Sequence, residues 1–118
     1  MRKDTMRKDT IKLSTKKGKF YCSTKGYNYN DIFGVHRPVG VKAWQVTHIP
    51  TGLRMPWSFF RRFEDAKYAV YEIAEKTNLI NWKEKRKTYL IKEINKNPGT
   101  KDLIILIMKR NNGKGSPL

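Results

Sequence analysis

Two side chains in this sequence, His36 and His48, are able to exchange protons near neutral pH. An unperturbed imidazole titrates near 6.5, so two of them beside a cationic surface could cleave RNA by general acid–base catalysis. Neither lies in a recognisable catalytic pattern, and His48 stands just before a turn, where an imidazole more often holds the backbone. Glu72 and Glu75 are three apart on an expected helix, but Lys67 and Lys76 balance them as on an ordinary solvated face. Cys22 is the one cysteine, so no internal disulfide forms; with His36 and His48 it falls short of a four-ligand structural zinc site. The sequence carries no phosphate-binding glycine loop, dinucleotide fingerprint, zinc-protease helix or nucleophile elbow. The expectation is a protein without catalytic residues, metal or cofactor.

The basic side chains say more. Among 118 residues, 26 are Lys or Arg and 10 are Asp or Glu, a net charge of +16. Residues 1–26 hold nine basic and two acidic side chains, whereas residues 57–81 hold four of each. Residues 82–97 are basic again, six against two. A polyanion is the natural partner for this layout, through counterion release from phosphates. Arg54 and Arg62 would project from the polar face of one strand, with Lys42 on the strand before it. Lys83, Lys85, Arg86 and Lys87 crowd about one turn of a helix and cannot share a face, which suits contacts to a phosphate backbone rather than base reading. Tyr27, Tyr29 and Phe33 occupy a Gly/Asn-rich stretch. Exposed tyrosines beside lysines could stack on unpaired bases; with Trp57 they could equally form a protein interface.

Those residues need elements to hold them. The chain is the size of one domain, and its 38% apolar content supplies one modest core. The opening Met1–Thr5 is copied in Met6–Thr10, which suggests Met6 as the working start. Residues 1–17 are expected as a flexible basic arm, 18–109 as a single domain and 110–118 as a flexible tail. Strands are expected over residues 19–24, 31–37 and 41–49, with a turn at Lys25-Gly26 and a hairpin turn at Pro50-Thr51-Gly52.

Residues 53–63 alternate, with Leu53, Met55, Trp57, Phe59 and Phe63 on one parity and Arg54, Ser58 and Arg62 on the other. Pro56 within that run argues for an edge or a bulge. Glu64 to Lys76 carries an apolar stripe at helical spacing, and Glu64 and Asp65 suit the helix start. A second helix is expected over Trp82–Asn97, capped by Asn81 with Glu84 and stopped by Pro98-Gly99. Leu103–Met108 suits a strand buried on both faces, with a short buried helix as the alternative. The sum is an α+β fold, an antiparallel sheet of three to five strands packed on one or two helices.

Trp44-Gln-Val-Thr47, the turn Thr51-Gly52 and Phe63-Glu-Asp-Ala66 leading into a helix carry a resemblance. Residues 41–76 resemble the arm-binding module of phage and transposon tyrosine integrases, three strands followed by a helix. In that family the sheet face enters the DNA major groove. The resemblance would place Lys42, Gln45, Arg54 and Arg62 there. It covers about a third of the chain, no recombinase domain follows, and the second helix has no counterpart in the module.

The functional expectation is a noncatalytic nucleic-acid-binding accessory protein of a phage or mobile element. Its arm and second helix would neutralise phosphates while the sheet face docks duplex or structured RNA. Two alternatives stay open: an inhibitor or anti-defence protein that binds a host protein or guide-RNA nuclease, and an RNA- or ribosome-associated structural protein. The partner is then nucleic acid, a nucleoprotein or a host protein. A membrane is not expected, because no apolar run reaches the roughly 18 residues of a spanning helix. The absence of a secretory signal pattern suggests the cytoplasm.

Overall fold

Five strands and three helices follow one another in the computed structural model, which describes residues 6–14, 20–37, 42–55 and 58–111. The strands are β1 (Arg7–Ser14), β2 (Phe20–Tyr29), β3 (Phe33–His36), β4 (Gln45–His48) and β5 (Leu53–Arg54). The helices are α1 (Phe63–Lys76), α2 (Lys87–Asn95) and α3 (Pro98–Asn111). Every strand pairs antiparallel with the next in sequence, so the sheet is a meander in the order β1-β2-β3-β4-β5. The expected α+β class is the observed one, with five strands and three helices.

Residue parity divides the sheet into two faces. Phe33, Val35 and Val46 point to the helices, where they meet Ala66, Ala69, Val70 and Ile73 of α1 and Ile104, Ile107 and Met108 of α3 in one core. Trp82 enters this core from a turn rather than a helix. Its ring lies 5.0 Å from Phe33 and 5.6 Å from His48, and its Nε1–H donates to Thr77. The opposite parity holds Asn28, His36, Gln45 and Thr47, all polar and all buried. The coil of the sheet covers them, because the meander curls until β1 comes close to β5.

Two glycines permit that curl. The fully buried side chain of Ile11 on β1 lies against Gly34 and Gly26. A Cβ on Gly34 would stand 2.7 Å from Ile11 Cδ1; on Gly26 it would stand 2.5 Å from the carbonyl oxygen of Val35. Asn28 secures the same corner. It donates to Asp9 Oδ2 at 2.8 Å and accepts the Asp31 backbone N–H at 2.7 Å, while Arg7 pairs with Asp31 at 2.7 Å. The turn it braces holds Asn30 and Asp31 at positive φ, where these two residue types are tolerated.

Several expectations change here. The arm is not free along its length: Arg7–Ser14 is an edge strand seated through Ile11. The expected turn at Lys25-Gly26 lies inside the unbroken strand β2, where glycine serves close approach instead of chain reversal. The alternation over residues 53–63 is not one strand. Met55 N–H still donates to Val46, but afterwards the parity reverses: Ser58 and Phe60 are buried and Phe59 is 40% exposed. Ser58 satisfies itself by donating to the Met55 carbonyl at 2.6 Å, and Phe60 bridges to Trp44. Pro56 and Trp57 lie outside the described residues, as do residues 1–5, 15–19 and the tail from 112 onward.

The second helix begins at Lys87, not Trp82. Asn81 makes a turn instead of a cap, its Oδ1 and carbonyl accepting the N–H groups of Lys83 and Glu84. Leu103–Met108 is helical, the lesser of the two readings. Ile104, Ile107 and Met108 face inward at helical spacing while Leu106 is 54% exposed. α2 ends at Asn95, ahead of Pro98 as expected, and Pro98 also opens a third helix, α3, at the first helical position where its missing N–H costs nothing.

The two glycines differ in what a methyl group would strike. Gly26→Ala should lower stability to urea by about 1–3 kcal/mol, since backbone must shift to relieve the contact. Gly34→Ala should cost less, because it meets a side chain. A negligible loss for Gly34→Ala would show that Ile11 of β1 is not seated as described, and a negligible loss for Gly26→Ala that β2 does not approach the Val35 carbonyl so closely.

Candidate nucleic-acid interface

β1 and β2 carry a second set of residues on the face that holds the helices, beyond the start of α1. Lys8 pairs in register with Tyr27, and Thr10 with Lys25, so all four point the same way. Trp44, bridged to Phe60, lies beside Tyr27 with ring centres 6.3 Å apart. Phe63, the first residue of α1, backs both rings at 4.6 Å from Tyr27 and 5.3 Å from Trp44. Arg37 leaves β3 and holds its guanidinium 5.6 Å from the centre of the Trp44 ring. Lys8, Thr10, Lys25, Tyr27, Arg37 and Trp44 line a cleft of about 520 Å³, with Tyr27 and Trp44 as its aromatic wall and Lys8, Lys25 and Arg37 as cations. Lys67 adds another charge 5.9 Å from the Phe63 ring.

One carboxylate, Asp9, also lines the cleft. Its charge is already engaged: Asn28 Nδ2 and the Thr10 N–H donate to it, and Arg7 lies 3.6 Å away. Those hydrogen bonds, Asn28 foremost, hold its pKa below the usual carboxylate range. Lys8, Lys25 and Arg37 are exposed and have no carboxylate partner among the described residues, so their charge faces whatever enters.

The residues singled out from sequence are not assembled as expected. Gln45 is buried, 2% exposed, on the polar inner face, so it reaches no groove. Arg54 is exposed on β5 with its guanidinium 5.9 Å from the Phe59 ring. Arg62 stands at the N-cap position of α1 and is paired with Asp65 at 3.2 Å rather than projecting from a strand. Lys42 is exposed in the bend before Trp44. No face carrying Lys42, Gln45, Arg54 and Arg62 together is therefore presented.

Lys83, Lys85, Arg86 and Lys87 do cluster, in the turn leading into α2. Arg86 is held there by Glu84, donating from Nε at 2.9 Å and Nη2 at 3.1 Å, and it stacks on Tyr89 at 3.6 Å. The same guanidinium holds the Glu84 carboxyl down at about 2. Tyr27 is the stacking candidate that survives, half-buried in the cleft wall. Tyr29 is in the core at 9% exposure, against Tyr71. Trp57 lies outside the described residues.

The two histidines are buried on opposite faces of the sheet and are not brought together. His48 accepts from the Thr51 hydroxyl through Nδ1 at 2.8 Å and donates from Nε2 to the Trp82 carbonyl at 2.6 Å, tying the hairpin to the helical layer. His36 Nε2 meets Thr47 Oγ1 at 2.7 Å, while its Nδ1 and Gln45 Nε2 are buried with no hydrogen-bond partner among the described residues. Glu72 is occupied by Lys76 on its own helix and by Arg110 and Asn111, which fasten α1 to α3. No group of three or more potential metal ligands forms among the described residues.

Sequence reading missed Lys8, Lys25, Arg37 and Trp44 as a site. The signal was present in the shared parity of Lys25, Tyr27 and Tyr29, but reading Lys25-Gly26 as a turn concealed it. Comparison of the chain with family models, with curated proteins and with solved structures gives no match. Among the described residues no helix is long and apolar enough to cross a membrane.

Burial pushes the His36 pKa down to about 4, with the nearby Arg54 charge adding to the effect, and burial lowers that of His48 as well. An unfolded chain binds these protons near 6.5, so the native state is favoured fully above that pH and loses stability as pH falls toward 4. For His36 alone the loss at pH 5 is on the order of 2 kcal/mol. Thermal melts at pH 7 and pH 5 should therefore show a smaller drop for His36→Gln than for the wild type. An identical drop would mean that His36 titrates normally.

Proposed function

We propose that this chain is a noncatalytic nucleic-acid-binding accessory protein, of the kind a phage or mobile element encodes. The observation that carries the reading is the cleft beside β1. Three cations without carboxylate partners among the described residues surround an aromatic wall, in a chain of net charge +16. Lysine and arginine there supply phosphate contacts, which position a nucleic acid without reading its sequence. The Lys83–Lys87 turn supplies a second basic patch, and the positive end of the α2 dipole adds to it. Contacts of this type release counterions, so affinity should fall steeply with salt.

A second reading is favoured by one feature. Tyr89 is 54% exposed with Arg86 stacked on it, and Ile91 is 44% exposed on the same helix; tyrosine and arginine are the residues protein interfaces favour. That surface suits an inhibitor or anti-defence protein acting on a host protein that handles nucleic acid.

Fluorescence anisotropy against labelled duplex DNA, single-stranded DNA and structured RNA separates the two. Binding should persist near 150 mM salt, with a log–log slope of about −0.9 per phosphate neutralised on duplex and about −0.7 on a single strand. Charge reversal of Lys25 and Arg37 together should reduce the slope for whichever nucleic acid binds most tightly and weaken its binding at least about tenfold. Weak, indiscriminate binding that vanishes at that salt would overturn the nucleic-acid reading in favour of a protein target.

A further inference from the structure

We infer that the cleft takes an unpaired nucleobase carrying a phosphate, with the base stacked on Trp44 and edged by the Tyr27 ring, which is tilted 52° to it, and the phosphate held by Lys8, Lys25 and Arg37. This rests on the nucleic-acid reading and goes beyond it by naming what enters the cleft. Three observations support it. First, about 520 Å³ is the size of a small-molecule cleft, room for a nucleotide unit rather than the convex side of a duplex. Second, Trp44 and Tyr27 are half-buried, so each offers a ring surface while Phe63 fixes its tilt from behind. Every base has a π-face, so such a platform needs no particular sequence. Third, the cations come from separate strands: Lys8 from β1, Lys25 from β2 and Arg37 from the end of β3. They line the same cleft as the rings, which is the combination of stacking platform and electrostatic funnel that a single strand requires.

A duplex fits this arrangement poorly. Its bases are stacked on one another and present only edges, so Trp44 and Tyr27 would have nothing to stack upon. Arg37, 5.6 Å above the Trp44 ring, occupies the place a base would take and must swing outward to admit one. Its guanidinium then lies beside the incoming phosphate, where its fork geometry is suited to the oxygens.

The test uses the full chain and thymidine probes: an eight-residue single strand, the same eight thymidines paired in a hairpin stem that stays duplex at the assay temperature, and thymidine monophosphate, all at one salt concentration. The single strand should bind at least about tenfold more tightly than the duplex and quench tryptophan fluorescence. Trp44→Phe should remove most of that quenching while leaving a smaller ring in the wall. Trp44→Leu should cost about tenfold on the single strand and little on the duplex. Arg37→Ala, at an exposed position that does not threaten the fold, should weaken the single strand and spare the duplex. Affinity that rises from monophosphate to octamer assigns the base to a strand; equal affinity assigns it to a free nucleotide, and both sustain the unpaired base. Equal or tighter binding of the duplex, with quenching unchanged by Trp44→Phe, would overturn the proposal and leave the nucleic-acid reading standing. If neither these probes nor structured RNA binds near 150 mM salt, both readings fall.

Discussion

The placement of β1 depends on one contact, the Ile11 side chain against the bare backbones of Gly26 and Gly34. A side chain at Gly34 would hold β1 away from β3 and one at Gly26 would drive β2 against the Val35 carbonyl, and either would disturb the polar inner face with His36, Gln45 and Thr47. Because the glycines are bare, the sheet coils far enough for β1 to approach β5. The β1–β2 ladder sets Lys8 beside Tyr27 and Thr10 beside Lys25, and Trp44 lies next to Tyr27, so the cleft is made by the sheet itself rather than attached to it. A strongly basic strand thus has a structural duty through Ile11 and a surface duty through Lys8, on opposite faces.

Net charge by itself does not place a site in this molecule. Arg62, Lys76, Arg86 and Arg110 belong to ion pairs with Asp65, Glu72 and Glu84, which fasten helix ends and neighbouring helices. Pairs this exposed contribute little stability each, but they remove cations from the set available to a ligand. The charge left over at Lys8, Lys25 and Arg37 is therefore the more informative part. Aromatic rings lie directly beneath it.

Much of the fold was legible in the sequence where one period ran unbroken. The stripe Ala66, Ala69, Val70 and Ile73 marked α1, and Pro50-Thr51-Gly52 marked the β4–β5 reversal, in which Gly52 takes a φ of 74°. Legibility failed where tertiary contact overrode local pattern. Gly26 has the composition of a turn and the role of a close approach, which only the position of Ile11 reveals. Leu103–Met108 is too short and too apolar for its period to distinguish strand from helix. Leu53 to Phe63 alternates in sequence, yet the parity reverses after Met55, so Ser58 is buried and Phe59 is not. The site suffered most: Gln45 belongs to a buried face and Arg62 to a helix start, whereas Arg37 and Trp44 converge from segments that local pattern cannot join.

Mapping the bound state by NMR tests the central claim most directly. Amide and indole shifts of the labelled protein would be followed as a short single-stranded oligonucleotide is added at near-physiological salt. The expected result is a compact set of changes at Lys8, Lys25, Tyr27, Arg37 and the Trp44 indole, with Lys83–Tyr89 affected less. Changes confined to Lys83–Tyr89, or a uniform drift that salt erases, would contradict the assignment of the cleft as the interface.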